Sequence, residues 1–247
     1  MTTYIAELHS PLFYSGSEGA LIRASRILSS MALSYALGYS LGRLKKRYLL
    51  YGKDASQHSY DELATTSLFV TDGVPLRLNY TGEVFRSTEY LSERSLTVTV
   101  PSRSKGNLGR FTKTDPKRMG SDAPSAISKV RRYVGLAPGS RYSFSVWSPE
   151  PLPDDLLLTM GIRRSGEFRL KKTSRAASVC LNLFMLHEVY GIPQGRKAGE
   201  DTVSLMDIYD HASTLIRGGD FRDHHFLDVD TSFVEEILIP QIMATSR

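Results

Sequence analysis

Cysteine is all but missing from this chain of 247 residues: Cys180 stands alone, inside the apolar run VCLNLFML at 179–186. A single thiol excludes a disulfide framework and a cysteine-built zinc finger, and it points to a reducing compartment. Long hydrophobic runs are missing as well. The run around Cys180 is among the longest, yet it falls far short of the roughly 20 residues that cross a bilayer. The opening MTTYIAELHS carries Glu7 and no basic flank, so it does not read as a secretory signal. These absences predict a soluble, cytoplasmic protein. Complete enzyme signatures are also missing. HEVYG at 187–191 has Gly191 where a zinc protease needs its second histidine, and GIPQGRK at 191–197 has the wrong spacing for a phosphate loop. SGSEG at 15–19 lacks the glycine two places before the serine of a nucleophile elbow.

What the chain does have is an uneven charge. The net charge is +5, but residues 200–247 hold ten acids and three arginines, a net −7. The first 199 residues hold 28 basic and 16 acidic side chains, a net +12. A basic body invites a polyanionic partner and an acidic end invites a basic neighbour. With 41% hydrophobic residues, the chain is large enough to bury a substantial core.

Periodicity divides the chain into elements. Tyr4, Ala6 and Leu8 alternate and predict a strand over 3–9. Leu21, Ile22, Leu28, Met31, Ala32, Tyr35 and Ala36 recur at helical spacing, predicting a helix from Glu18 to Tyr39 capped by Ser17. Short strands are predicted at 67–71, 76–85, 95–101, 141–147, 156–162 and 167–172. A loop is predicted at 102–118. Residues 176–190 lean towards helix, 203–217 read as helix and 233–239 as a strand. The layout is α+β. It fits a ferredoxin-like antiparallel sheet over 1–190 with a basic hairpin or loop inserted around 102–120, followed by an acidic C-terminal extension over 191–247.

Positive charge concentrates in two places. MGIRRSGEFRLKK (160–172) brings Arg163, Arg164, Arg169, Lys171 and Lys172 together with Gly161 and Gly166. Glycines let a backbone approach a ligand closely, and the planar fork of arginine suits phosphate. The loop at 102–118 adds Arg103, Lys105, Arg110, Lys113, Lys117 and Arg118, with Phe111 between cations where it could stack on an unpaired base. A solvated sheet face explains either run alone; two such elements favour nucleic-acid binding. Asp220, Asp223, His224, His225, Asp228 and Asp230 form the one metal-like cluster, read here as a polar loop, so no metal or other cofactor is expected. His9 and His58 are acid/base candidates for a rival reading as an RNA-cleaving enzyme, and the 220–230 cluster for a metal-dependent phosphohydrolase. A second rival is a structural protein whose basic surface meets an acidic partner.

The stretch YIAELHSPLFYSGSEGALIRASRILSSMALSYALG (4–38) resembles the Csc-one family, the Cas-five-group subunits of type I-D CRISPR effectors. The family's strand, its LFY-type turn and its helix ending in ALxYALG correspond here to Leu12-Phe13-Tyr14-Ser15 and Ala32-Leu33-Ser34-Tyr35-Ala36-Leu37-Gly38. LAPGSRYSF (136–144) and Gly161-Ile162-Arg163-Arg164 resemble the family's central region. The likeness extends to about residue 173, and none is evident beyond 190. It implies an RNA-recognition-motif-like (RRM-like) ferredoxin sheet without catalytic activity. It also implies binding to the 5′ handle of a CRISPR guide RNA, capping of the backbone-subunit filament, and contact with the large subunit near the target DNA duplex that carries the protospacer-adjacent motif.

Overall fold

The computed structural model describes residues 1–14, 21–45, 60–86, 97–101, 108–112, 130–161, 166–196, 202–218 and 221–245. Contacts group the chain into two compact units: Met1–Ser17, Arg23–Thr81 and Gly135–Arg247 form one, Glu18–Ile22 and Gly82–Val134 the other.

The larger unit is built on an antiparallel sheet. Its strands are β1 (Thr2–Leu8), β3 (Phe69–Val70), β4 (Val74–Arg77), β9 (Arg141–Trp147), β10 (Asp155–Met160) and β11 (Gly166–Thr173), ordered β10-β11-β1-β9-β3 with β4 also on β9. β9 runs antiparallel to both β1 and β3, so β1 and β3 run parallel with β9 between them. The helix α1 (Ser30–Ser40) lies in the connection from β1 to β3. Between β9 and β11 the described residues form the strand β10 and no helix.

The alternation read in the sequence places Tyr4, Ala6, Leu8, Tyr142, Phe144, Leu158, Phe168 and Leu170 in one buried cluster with Leu33, Ala36 and Leu37 of α1. Phe168 is 1% exposed and its ring meets Tyr142 edge-on, with centroids 6.3 Å apart. Phe168→Ala is therefore expected to cost about 3–5 kcal/mol in denaturant unfolding, through lost burial and the cavity left behind. A loss below about 1 kcal/mol would show that the site collapses around the gap.

A second cluster fills the space between α1 and a smaller sheet made of β12 (Ser178–Asn182), β13 (Thr214–Ile216) and β14 (His225–Asp230), in the order β12-β14-β13. The short helix α2 (Leu205–Asp210) opens with a capping box: Ser204 accepts from the Asp207 N–H, and Asp207 accepts from the Ser204 N–H. A helical run over 231–245 closes the unit and buries Phe233, Val234, Leu238, Ile239 and Ile242. Within it, the wide turn Val234–Leu238 precedes Pro240. A proline there has no N–H to donate and crowds the preceding turn, which widening relieves.

The remaining strands are β2 (Leu21–Arg23), β5 (Tyr80–Arg86) and β8 (Val130–Leu136), in the order β2-β8-β5. In the smaller unit β6 (Thr97–Pro101) and β7 (Leu108–Thr112) form an antiparallel hairpin.

Several expectations need correction. The helix predicted from Glu18 starts at Ser30, after Ser29 as cap; Leu21 and Ile22 belong to β2, and Leu28 bridges to Gly73. Ser17 lies outside the described residues. The predicted strand 76–85 is two strands, β4 and β5, parted at Leu78-Asn79. Part of the predicted loop 102–118 is the strand β7. Residues 178–182, read as helical, form β12, and the helical part is confined to 183–189. The predicted helix 203–217 ends at Asp210 and gives way to β13. The predicted strand 233–239 is helical, because Val234, Leu238 and Ile242 recur at i, i+4 and i+8 and all point inward.

Candidate nucleic-acid interface

The face of the main sheet opposite its core is covered around Thr3 and Ser145 but exposed towards Glu7, Arg141 and Arg169, and register fixes which side chains share that exposed part. One row across the strands runs Arg77, Arg141, Glu7, Arg169, Leu157. The next runs Val74, Ser143, Ile5, Lys171, Asp155. A third begins with Thr159 and Glu167, with His9 alongside, its N–H donating to the Glu167 carbonyl at 2.8 Å. Shallow clefts follow these rows. One of about 640 Å³ is lined by His9, Ser40, Asp155, Leu157, Glu167 and Arg169, among others. Another of about 410 Å³ is lined by Ile5, Glu7, His9, Arg141, Arg169 and Lys171.

Two of the four cations on this face, Arg169 and Arg141, are held in place by acids. Arg169 donates from Nε and Nη2 to Asp155 at 2.5–3.2 Å, which pulls the Asp155 carboxyl below its ordinary pKa and raises that of Arg169. Arg141 donates to Glu7 from Nε at 2.9 Å, and its Nη2 completes the ion pair 2.8 Å from the same carboxylate oxygen. Both pairs are exposed, so each adds little to stability; their effect is to orient the guanidinium groups. None of the side chains in these rows is Phe, Tyr or Trp. The described part of the face can meet phosphate and sugar, and His9 is the one aromatic ring in these rows.

The sequence-predicted residues distribute unevenly over this geometry. Arg169 and Lys171 stand on the open face. Lys172 has the opposite parity and pairs with Asp154 at 3.3 Å. Gly161 (φ +86°) and Gly166 serve a close approach within the chain: a Cβ on Gly161 would lie 2.8 Å from the Phe13 carbonyl oxygen, and one on Gly166 2.5 Å from Leu12 Cδ1. Arg110 and Phe111 fall on β7, in register with Thr99 and Val98. Arg163, Arg164, Arg103, Lys105, Lys113, Lys117, Arg118, His58 and Asp220 lie outside the described residues. Arg77 and Arg141 are the face residues that sequence reasoning passed over. Neither sits in a basic run; only cross-strand register brings them together.

The metal-like cluster at 220–230 does not converge among its described members. Asp230 caps the closing helical run through the Ser232 N–H, Asp228 accepts from Ser213 at 2.8 Å, and His225 turns inward to Asp72. Asp72, which no motif or charge run singles out, is the polar hub of the interior. It is fully buried, accepts the Ser30 N–H at the start of α1 at 2.6 Å, bonds His225 Nδ1 at 2.7 Å, and exchanges a backbone bridge with Cys180. Ligand atoms of Asp72, Cys180 and His225 lie within 4.8 Å of one another. A tetrahedral zinc ion would hold its oxygen and nitrogen donors roughly 3.3 Å apart, given bonds of about 2.0–2.1 Å. The 2.7 Å approach of Asp72 to His225 is a hydrogen bond instead. Burial, then the neighbouring Asp72, pushes the Cys180 thiol far above its ordinary pKa, so it stays protonated.

Among the described residues no helix is long and apolar enough to cross a membrane. A family model covering residues 1–214 matches the chain and makes it a CRISPR effector subunit. That family is described as the type I-D CRISPR-associated protein Cas5/Csc1, and the chain belongs to it. Comparison with curated proteins finds no match. Solved structures that are distantly similar include two chains of CRISPR complexes. One is a chain of a type III-B Cmr-beta complex bound to cognate target RNA and AMPPnP, 9% identical with a TM-score of 0.35. That match covers 71% of this chain, which spans only 64% of the Cmr-beta chain. The other is a chain of a CRISPR RNA-guided surveillance complex, 12% identical over 100% of this chain and 99% of that one, with a TM-score of 0.35.

Proposed function

We propose that the protein is a non-catalytic subunit of a cytoplasmic type I-D surveillance complex that holds the 5′ handle of the guide RNA. In this reading it caps the filament of backbone subunits and contacts the large subunit near the duplex carrying the protospacer-adjacent motif. The observation that carries the reading is the exposed sheet face, to which register brings Arg77, Arg141, Arg169 and Lys171 from three strands, β4, β9 and β11. The strand order β11-β1-β9-β3, with α1 between the parallel strands β1 and β3, supports a ferredoxin-like description of that sheet. Arg163, Arg164 and the basic residues at 103–118 are further candidates for phosphate contact in this proposal. With no Phe, Tyr or Trp in these rows, recognition rests mainly on phosphate neutralisation and on the shape of a single strand.

The test is a salt titration of guide-RNA affinity for the full chain and for an Arg169→Ala, Lys171→Ala variant whose folding is checked separately. The log–log slope is expected to shrink by roughly 0.7 for each phosphate that is no longer neutralised. A folded variant with the parent's affinity and slope would reduce these side chains to solvated decoration. The same mixtures, with and without a chelator, report on catalysis. The RNA is expected to stay intact; cleavage that survives chelation and vanishes in His9→Ala would make the protein a ribonuclease.

A further inference from the structure

Two arginines face each other where the sheet gains nothing from it. Arg77 on β4 is in direct register with Arg141 on β9, so two like charges stand opposite each other on neighbouring strands. Such a pairing is unfavourable in the free protein. Arg77 is exposed and makes no hydrogen bond or ion pair among the described residues. Arg141 is oriented from one side only: Glu7 takes its Nε and Nη2, leaving Nη1 without a partner among the described residues.

The backbone beneath the pair is pinned. The Asn79 N–H donates to Ser140 Oγ at 3.0 Å, the Ala137 N–H donates to the Asn79 carbonyl at 2.8 Å, and Ser140 is completely buried. The ends of β4 and β9 are thus tied two residues from Arg77 and one from Arg141. The bulge between Pro75 and Arg77 sets the register that brings the two together. A pinned like-charge pair, with one member steadied by a carboxylate, suits an anion that both guanidinium groups can share.

We propose that Arg77 and Arg141 form a binding site for one phosphate group at the β4–β9 side of the open face. The site rests on the nucleic-acid reading above and deepens it, the natural source of the phosphate being the backbone of a single strand. Arg77 and Arg141 are the donors, and Glu7 is a positioning residue that acts through Arg141.

The test uses Arg77→Gln in the full chain, with three readouts. Without ligand, the variant should melt at or above the parent's temperature, because a repulsion is removed. Its guide-RNA affinity should fall several-fold and its salt slope should shrink by roughly 0.7. Inorganic phosphate should raise the melting temperature of the parent and leave the variant unmoved. If the parent binds RNA and the variant keeps the same affinity and slope, the site is overturned while the nucleic-acid reading stands. A variant that melts below the parent assigns Arg77 a structural role and also overturns it. If the parent binds no RNA but phosphate still separates parent from variant, the site holds with free phosphate as its source. Neither RNA binding nor a phosphate effect in the parent removes both.

Discussion

A chain ending at Lys197 is expected not to fold. Nine of the nineteen buried residues in the second core cluster lie beyond that point: Leu205, Ile208, Phe226, Val229, Phe233, Val234, Leu238, Ile239 and Ile242. Burying one such side chain contributes roughly 1.5–3 kcal/mol, whereas a whole domain is stable by only about 5–15 kcal/mol. Deletion would also strip β14 from β12 and leave Met31 and Phe69 facing water. The truncated chain should appear in the insoluble fraction, or lack a cooperative thermal transition if it is soluble. A soluble fragment with a sharp transition and intact RNA binding would mean the acidic extension is a separable appendage. The milder change Leu238→Ala should still cost about 2–5 kcal/mol.

Asp72→Ala should be nearly as damaging, at about 3–5 kcal/mol by chemical denaturation, because it leaves buried partners uncompensated. The Ser30 N–H loses its acceptor at the start of α1, and the His225 imidazole loses its carboxylate partner. The same pair sets a pH dependence. Burial pushes the His225 pKa down, but the hydrogen bond and charge of Asp72, with a smaller push from Asp223, carry it above its ordinary value. The folded protein then holds this proton more tightly than the unfolded chain does. The stabilisation is complete below the unfolded pKa of about 6.5 and is lost as pH rises through the folded value. Melting temperature should therefore decline as pH rises from about 6.5, and the decline should flatten in His225→Gln. An unchanged pH profile in that variant would place the titrating group elsewhere.

The legible parts of the fold are those where one face is buried and the other wet. β1, β9 and β11 could be read because Tyr4-Ala6-Leu8, Tyr142-Phe144 and Phe168-Leu170 alternate with less buried positions. Two of the misread segments lack that contrast: β12 is buried at four of its five positions, and β13 is exposed or half-buried throughout. Leu21, Ile22 and Leu28 fell by chance at helical spacing, although Leu28 is fixed by a bridge to Gly73. Ile237-Leu238-Ile239 looked like a strand because three apolar residues in a row hid the i, i+4, i+8 series running through Leu238. Of the candidate site, Arg169 and Lys171 were visible as a charge run. Arg77 was not, since its meaning depends on a strand 64 residues away. Asp72 was hidden for the same reason: nothing around an Asp-Gly turn announces that His225 will meet it.

The central place of β1 has a consequence for how the chain is made. β1 leaves the ribosome before every other described strand, yet its two neighbours in the sheet are Arg141–Trp147 and Gly166–Thr173. At elongation speeds of about 5–20 residues per second, it waits roughly ten to thirty seconds for both. During that interval both of its edges and the side chains of Tyr4, Ala6 and Leu8 are unprotected. The main sheet cannot grow outward from its first strand; it must close around that strand late, after β9 and the β10–β11 hairpin have emerged.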